Sequence, residues 1–233
     1  PAWADQTGRA HLGDVMPVKM VARSDDDEYA RIWELSIRGG HSNDTLGMKP
    51  ASEEHFGHVT LRSFDRPAQT VLRDLSADFP QARVTSRRVG EGADEHPCGG
   101  TGKERQCGST TVGQRVMEID YKPRRGVLAP VIPGQIVSIA YDDVEGGLLV
   151  GYAGLHDYYA RKSASGVVSF RVRVDSTKSI LMPLRNEDGW KRFELPLEPG
   201  KHLVVFEFSS EEPAWRLPGF HAELRAADGA GAP

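Results

Sequence analysis

Between two apolar runs lies GYAGLHDYYARK, residues 151 to 162, which gathers Tyr152, His156, Asp157, Tyr158, Tyr159 and Arg161 into one short stretch. Aromatic faces stack on the apolar faces of sugar rings, while carboxylate, imidazole and guanidinium groups hydrogen-bond sugar hydroxyls, so this mixture is suited to holding a carbohydrate. Trp190, beside Asp188-Gly189, and Trp215, near Pro213, could add stacking platforms. The same residues also have a structural reading, in which the rings cover the edge of a core and Arg161 pairs with a nearby acid. Exposure of the rings separates the two.

A second cluster, Asp142, Asp143 and Glu145 beside Gly146-Gly147, could supply oxygen ligands to a calcium ion that pins a loop; a solvated acidic loop is the competing account. The run Asp25, Asp26, Asp27 and Glu28 has the same two readings. Cys98 and Cys107 sit in HPCGGTGKERQCGS, a polar, glycine-rich stretch able to bend two thiols together, and a disulfide is expected there. Disulfides persist in oxidising compartments, so a periplasmic or extracellular location follows. The histidines have no metal-ligand spacing. HFGH at 55 to 58 comes nearest, but two histidines three apart share a face only on a helix, and their surroundings favour strand or loop.

The chain has no GxSxG elbow, P-loop, HExxH or dinucleotide fingerprint. A carboxylate pair of the glycosidase kind leaves no local motif, so a polysaccharide-active jelly roll using such a pair, or His, Tyr and Arg, stays among the alternatives. The leading expectation is a non-catalytic domain.

The elements that must hold these residues read as strands. RVMEIDY (115 to 121), GVLAPVI (126 to 132), QIVSIAYDDV (135 to 144), GLLVGYAGL (147 to 155), GVVSFRVRVD (166 to 175), KSILMPL (178 to 184), WKRFELPL (190 to 197), HLVVFEFSS (202 to 210) and GFHAELRA (219 to 226) alternate with turn signals. The clearest is Val168, Phe170, Val172 and Val174 against Ser169, Arg171, Arg173 and Asp175, which puts one apolar face toward a core. In HLVVFEFSS, Leu203 and Val205 alternate until Phe206 and Phe208 break the pattern, as in a strand buried on both sides or carrying a bulge. Gly146-Gly147, Asp188-Gly189, Pro199-Gly200 and Pro218-Gly219 are expected turns. The expected fold is all-β, an antiparallel β-sandwich or jelly roll over 112–226. Residues 1–111, with strands at 31 to 37, 57 to 64, 70 to 75 and 82 to 89, form an irregular part that completes it or makes a small lobe. Residues 227–233 read as a flexible tail.

The 233 residues, 39% hydrophobic and 27% charged, have the balance of a globular protein, and no apolar run approaches the length of a spanning helix. A net charge of -4 with both signs interspersed makes nucleic acid an unexpected partner. The chain starts with proline and lacks a signal-type apolar stretch, so its start reads as a processed or truncated end.

The order GLHD (154 to 157), GVVSFRVRVD (166 to 175), GW (189 to 190), ELPLEPGKHLVVFEFS (194 to 209) and FHAELR (220 to 225) resembles the galactose-binding-like jelly rolls, particularly the carbohydrate-binding modules found beside glycosidases and on bacterial envelope proteins. STKS after Asp175 replaces that pattern's usual Asp-Gly turn. The resemblance implies an exported sandwich whose loops bind carbohydrate or glycan, or alternatively a structural or interaction domain of a larger bacterial envelope protein.

Overall fold

A computed structural model describes residues 29–37, 39–41, 45–67, 69–90, 94–119, 122–156, 166–211 and 216–226. The chain divides into two compact units, Pro1–Thr70 and Val71–Pro233.

The first unit holds a three-stranded antiparallel sheet, β1 (Arg31–Ile37), β2 (Ser52–Phe56) and β3 (Val59–Asp65), in the order β1-β3-β2. Its polarity is the reverse of an ordinary half-buried sheet. Register places Glu34 and Glu53 on either side of Arg62, and the buried Arg62 guanidinium donates to Glu34 Oε1 at 3.0 Å, Ser36 Oγ at 3.1 Å and Glu53 Oε2 at 2.9 Å. The Thr45 hydroxyl also donates to Glu34. On the other face Trp33, Leu35, Ile37 and Phe56 are each more than half exposed. His55 lies in β2 and His58 in the turn after it.

The second unit holds eleven strands: β4 (Val71–Asp74), β5 (Arg83–Arg88), β6 (His96–Pro97), β7 (Glu104–Cys107), β8 (Thr110–Ile119), β9 (Lys122–Leu128), β10 (Gln135–Leu155), β11 (Val168–Val174), β12 (Lys178–Leu184), β13 (Lys191–Ser210) and β14 (Pro218–Arg225). All of their pairings are antiparallel. β10 and β13 each run through both layers of a sandwich. Residues 136–141 of β10 lie between β5 and residues 204–209 of β13, whose other neighbour is β11, followed by β12. Past the bend, residues 148–153 of β10 lie between β14 and residues 191–196 of β13, with β9, β8 and β7 beyond β14.

Gly146-Gly147 and Pro199-Gly200 are therefore bends within two long strands, not the expected turns between four shorter ones. The reason is their pairing: Glu145 faces Lys201 and Gly147 faces Leu197, so both strands deform at the same level and continue together. Register shifts between Tyr141 and Val144 and between Glu145 and Gly147 mark the bend. Pro218-Gly219, also expected as a turn, opens β14.

The layers close on a ring cluster. Phe206 stacks on Phe220 of the opposite layer at 4.2 Å between centroids, and Phe170 packs on Phe193 at 5.5 Å. Val168, Phe170, Val172 and Val174 all point into this core, as their alternation requires. In the second half of β13 the core side chains are Val204, Phe206 and Phe208, while Val205 is buried on the opposite face and Leu203 only half-buried. The strand is buried on both sides.

Where the chain departs from an Asp-Gly turn, Asp175 itself takes the left-handed conformation, φ 50°. Its carboxylate compensates by accepting from Leu203 N–H at 2.9 Å and pairing with His202 at 2.8 Å, which ties the β11–β12 turn to β13. At another edge Cys98 and Cys107 form the expected disulfide. Cys98 N–H donates to Val84 O beside β5, and Cys107 ends β7, so the bond joins strands belonging to the two layers.

Candidate functional site

The non-core face of the second layer carries the first candidate site. Gly154 of β10 stands directly opposite Gly219 of β14, leaving a bare patch on which Met117 and Ile119 of β8 can lie. A Cβ on Gly154 would come within 2.7 Å of Gly189 O and 2.8 Å of Ile119 Cδ1, so only glycine permits this crossing. The β8–β9 hairpin thereby brings Arg124 over Tyr152, its guanidinium carbon 3.7 Å from the ring centroid and 5.9 Å from that of Trp190. Arg124 and Tyr152 are both 5% exposed, whereas Trp190 is half-buried.

Along the same face of β14 run His221, Glu223 and Arg225. His221 pairs with Glu223 at 3.0 Å and with Arg125 O at 3.0 Å, and Arg225 donates to Glu223 at 3.0 Å. Burial pushes the Glu223 carboxyl up, but His221 and Arg225 outweigh it and hold it below the ordinary value. Burial raises Asp74, the cross-strand neighbour of Glu223 on β4. Asp74 accepts from Ala77 N–H at 2.9 Å, closing the turn after β4. The ladder is satisfied by its own members and by backbone.

A groove of about 780 Å³ is lined by the end of β5 (Ser86, Arg87, Arg88), by Asp94, His96 and Gly108, and by the Ile132–Gln135 connection. Gln135 Oε1 is itself buried from solvent and has no hydrogen-bond partner. A shallower cavity of about 650 Å³ sits at the β10 and β13 bend, lined by Glu145, Gly147, Leu197, Pro199 and Lys201 among others.

Of the residues expected to hold a sugar, the structure places three at one end of the second layer. Tyr152 lies near the end of β10, His156 follows it with its N–H on Leu217 O at 2.9 Å, and Trp190 immediately precedes β13. Tyr152 lies beneath Arg124 and presents little ring to solvent, whereas Trp190 and His156 are each half-buried. Asp157, Tyr158, Tyr159, Arg161 and Trp215 lie outside the described residues, as do Asp25 to Glu28.

Asp142 and Asp143 occupy the bend in β10, each facing a cation: Asp142 is 3.5 Å from Arg83, and Asp143 3.3 Å from Lys201. Glu145 is exposed. Among the described residues no three His, Cys, Asp or Glu side chains group as a metal site.

Arg124, Arg87 and Arg88 were not among the expected site residues. Arg124 left no signal, because its importance comes from the hairpin crossing. The ladder was legible in FHAELR, where His221, Glu223 and Arg225 alternate with Phe220, Ala222 and Leu224.

No protein-family model and no curated protein matches the chain. Among solved structures, the CBM51-2 and INT domains of Clostridium perfringens ZmpB, in complex with GlcNAc, are similar at 15% identity over 78% of this chain, with a TM-score of 0.39; this chain spans 41% of that one. CBM51 of Clostridium perfringens GH95, in complex with methyl-galactose, shares 14% identity over 59% of this chain and 99% of its own, with a TM-score of 0.32. The CBM22-1 xylan-binding domain of Paenibacillus barcinonensis Xyn10C shares 18% identity over 61% of this chain and 94% of its own, with a TM-score of 0.31. These neighbours are carbohydrate-binding modules.

Proposed function

We propose that this chain is an exported, non-catalytic β-sandwich domain that binds carbohydrate at the end of its second layer, with Trp190 as stacking platform and His156 as hydrogen-bonding partner. One observation carries the reading. Trp190 is a half-buried indole immediately before β13, with Arg124 on the adjacent Tyr152 and within 5.9 Å of its ring. A ring already held in place loses little entropy when a sugar stacks on it. The disulfide supports export, since such bonds persist where the environment is oxidising.

A glycan array probed with the wild-type chain, Trp190→Ala and His156→Ala tests this reading. Retention of at least one glycan by the wild type and its loss in Trp190→Ala is the expected outcome. An array on which the wild type retains nothing, or which Trp190→Ala leaves unchanged, refutes it.

A second reading, an interaction domain of a larger envelope protein, is favoured by the first unit. Trp33, Leu35, Ile37 and Phe56 make one sheet face apolar and exposed, an arrangement suited to a protein partner.

A further inference from the structure

The inverted sheet of the first unit has one satisfied face and one open one. Antiparallel register puts Arg31, Trp33, Leu35 and Ile37 of β1, Val59, Leu61, Ser63 and Asp65 of β3, and Ser52, Glu54 and Phe56 of β2 on one side. On the other side Arg62 donates to Glu34, Ser36 and Glu53, and His55 Nδ1 lies 3.2 Å from the Thr60 hydroxyl. Burial follows the same alternation along β1: Glu34 and Ser36 are buried, while Trp33, Leu35 and Ile37 are more than half exposed. Large apolar side chains left together in water are unfavourable, so this side calls for a cover.

Two properties of the face select that cover. The first is size. Trp33, Leu35, Ile37 and Phe56, with the half-buried Val59 and Leu61 between them, leave roughly 500 Å² of contiguous apolar surface. Two such faces in contact bury about 1,000 Å², the lower bound of a specific interface and the range of a weak, reversible dimer.

The second is charge. Of the charged side chains on this side, Arg31 and Asp65 pair with each other, and Glu54 has no ion-pair partner among the described residues. Arg31 bonds Asp65 through Nε at 2.6 Å, which leaves its two outer nitrogens for a second carboxylate. Arg31 stands on one edge strand and Glu54 on the other, with the row Leu35–Leu61–Glu54 four residues along β1 from Arg31. A face with a cation on one edge, a carboxylate on the other and apolar side chains between is complementary to itself: turned about a two-fold axis, each copy sets its cation against the carboxylate of the other.

We propose that this chain self-associates as a two-fold symmetric dimer through the exposed face of β1, β3 and β2, with Trp33, Leu35 and Phe56 as apolar contacts and Arg31 paired with the partner's Glu54. The proposal rests on the reading of this face as a protein-interaction surface and is independent of Trp190.

Sedimentation velocity of the full chain over a concentration series tests it, using the wild type, Leu35→Glu, Glu54→Lys and Arg31→Glu/Glu54→Lys. All three positions are exposed, so the variants keep the fold, which a thermal melt verifies. The wild type is expected to pass from monomer to dimer with a Kd in the micromolar range. Leu35→Glu places a charge in the apolar contact and Glu54→Lys sets like charges together, so each should weaken the dimer roughly tenfold or more. The double exchange restores an opposite-charge pair and should recover most of the lost affinity. A wild type that stays monomeric, a folded Leu35→Glu that dimerises as the wild type does, or a double exchange no better than Glu54→Lys overturns the proposal. Acrylamide quenching of the Trp33 emission, taken as the difference between the wild type and Trp33→Phe in dilute solution, separates this failure from failure of the reading beneath it. An accessible Trp33 in a chain that never dimerises removes the dimer and keeps the face as a surface for another protein; a shielded Trp33 in that chain removes both.

Discussion

Replacing Gly154 with alanine tests whether the β8–β9 hairpin crosses the second layer as closely as described. The added methyl would sit 2.7 Å from the backbone oxygen of Gly189 and 2.8 Å from Ile119 Cδ1, both inside contact distance. Ile119 can turn away, but Gly189 O belongs to backbone and precedes Trp190, so the chain itself must move. Extra volume forced into a close-packed site costs about 1–3 kcal/mol. For a folding unit of this size each kcal/mol lowers the melting temperature by about 2–4 °C, so a fall of roughly 2–12 °C is expected in scanning calorimetry. Gly99→Ala is the matched control, because nothing lies within 4 Å of its would-be Cβ. Its melting temperature should stay at or slightly above that of the wild type. A Gly154→Ala protein that melts within about 1 °C of Gly99→Ala would refute the crossing, and with it the placement of Arg124 on Tyr152.

Two further outcomes follow from the bonds that join elements. Removing the disulfide by Cys98→Ser/Cys107→Ser is expected to cost about 2–4 kcal/mol in urea denaturation, the usual worth of closing a short loop; a midpoint equal to that of the oxidised wild type would show that the hairpin is held by its backbone bonds alone. The second concerns pH. Asp175 holds His202 above the ordinary imidazole value of 6.5, and His202 holds Asp175 below the ordinary 3.8, so their contribution is complete when both are charged. It is lost as pH rises through the folded His202 value, above 6.5, and again as pH falls through the folded Asp175 value, below 3.8. The urea midpoint of the wild type should therefore fall between pH 6 and pH 9 relative to His202→Gln, and parallel curves for the two proteins would rule the clasp out.

How far the sequence could be read depended on whether a feature is local. The β11 alternation of Val168, Phe170, Val172 and Val174 shows its core face directly, because a period of two is written along one strand. β2, SEEHF, is exposed at every position and has no such pattern, so it escaped notice. Glycine and proline at 146–147 and 199–200 signalled a backbone irregularity correctly but not its kind. A bend and a reversal use the same residues, and only the partner strand decides between them. Tyr152 was recognisable as an aromatic near a candidate site, yet its burial was not, since Arg124 reaches it from another hairpin through a glycine pair.

The same contrast explains why the two candidate sites lie where they do. The connection from Ala129 to Gly134 is bonded to Pro218 O through Ala129, to Arg216 through Val131 and to Ser210 O through Gly134. It thus runs from the start of β14, beside Leu155 and His156, to the start of β10, where Gln135 enters the groove. Fully extended, so few residues span about 20 Å, which bounds the separation of the two regions along this path. This connection is therefore braced by backbone bonds at both ends, while the ring cluster and the bent strands beneath it set the positions of Trp190 and of the end of β5. The core fixes where these strand ends lie; the side chains they carry determine what they can hold.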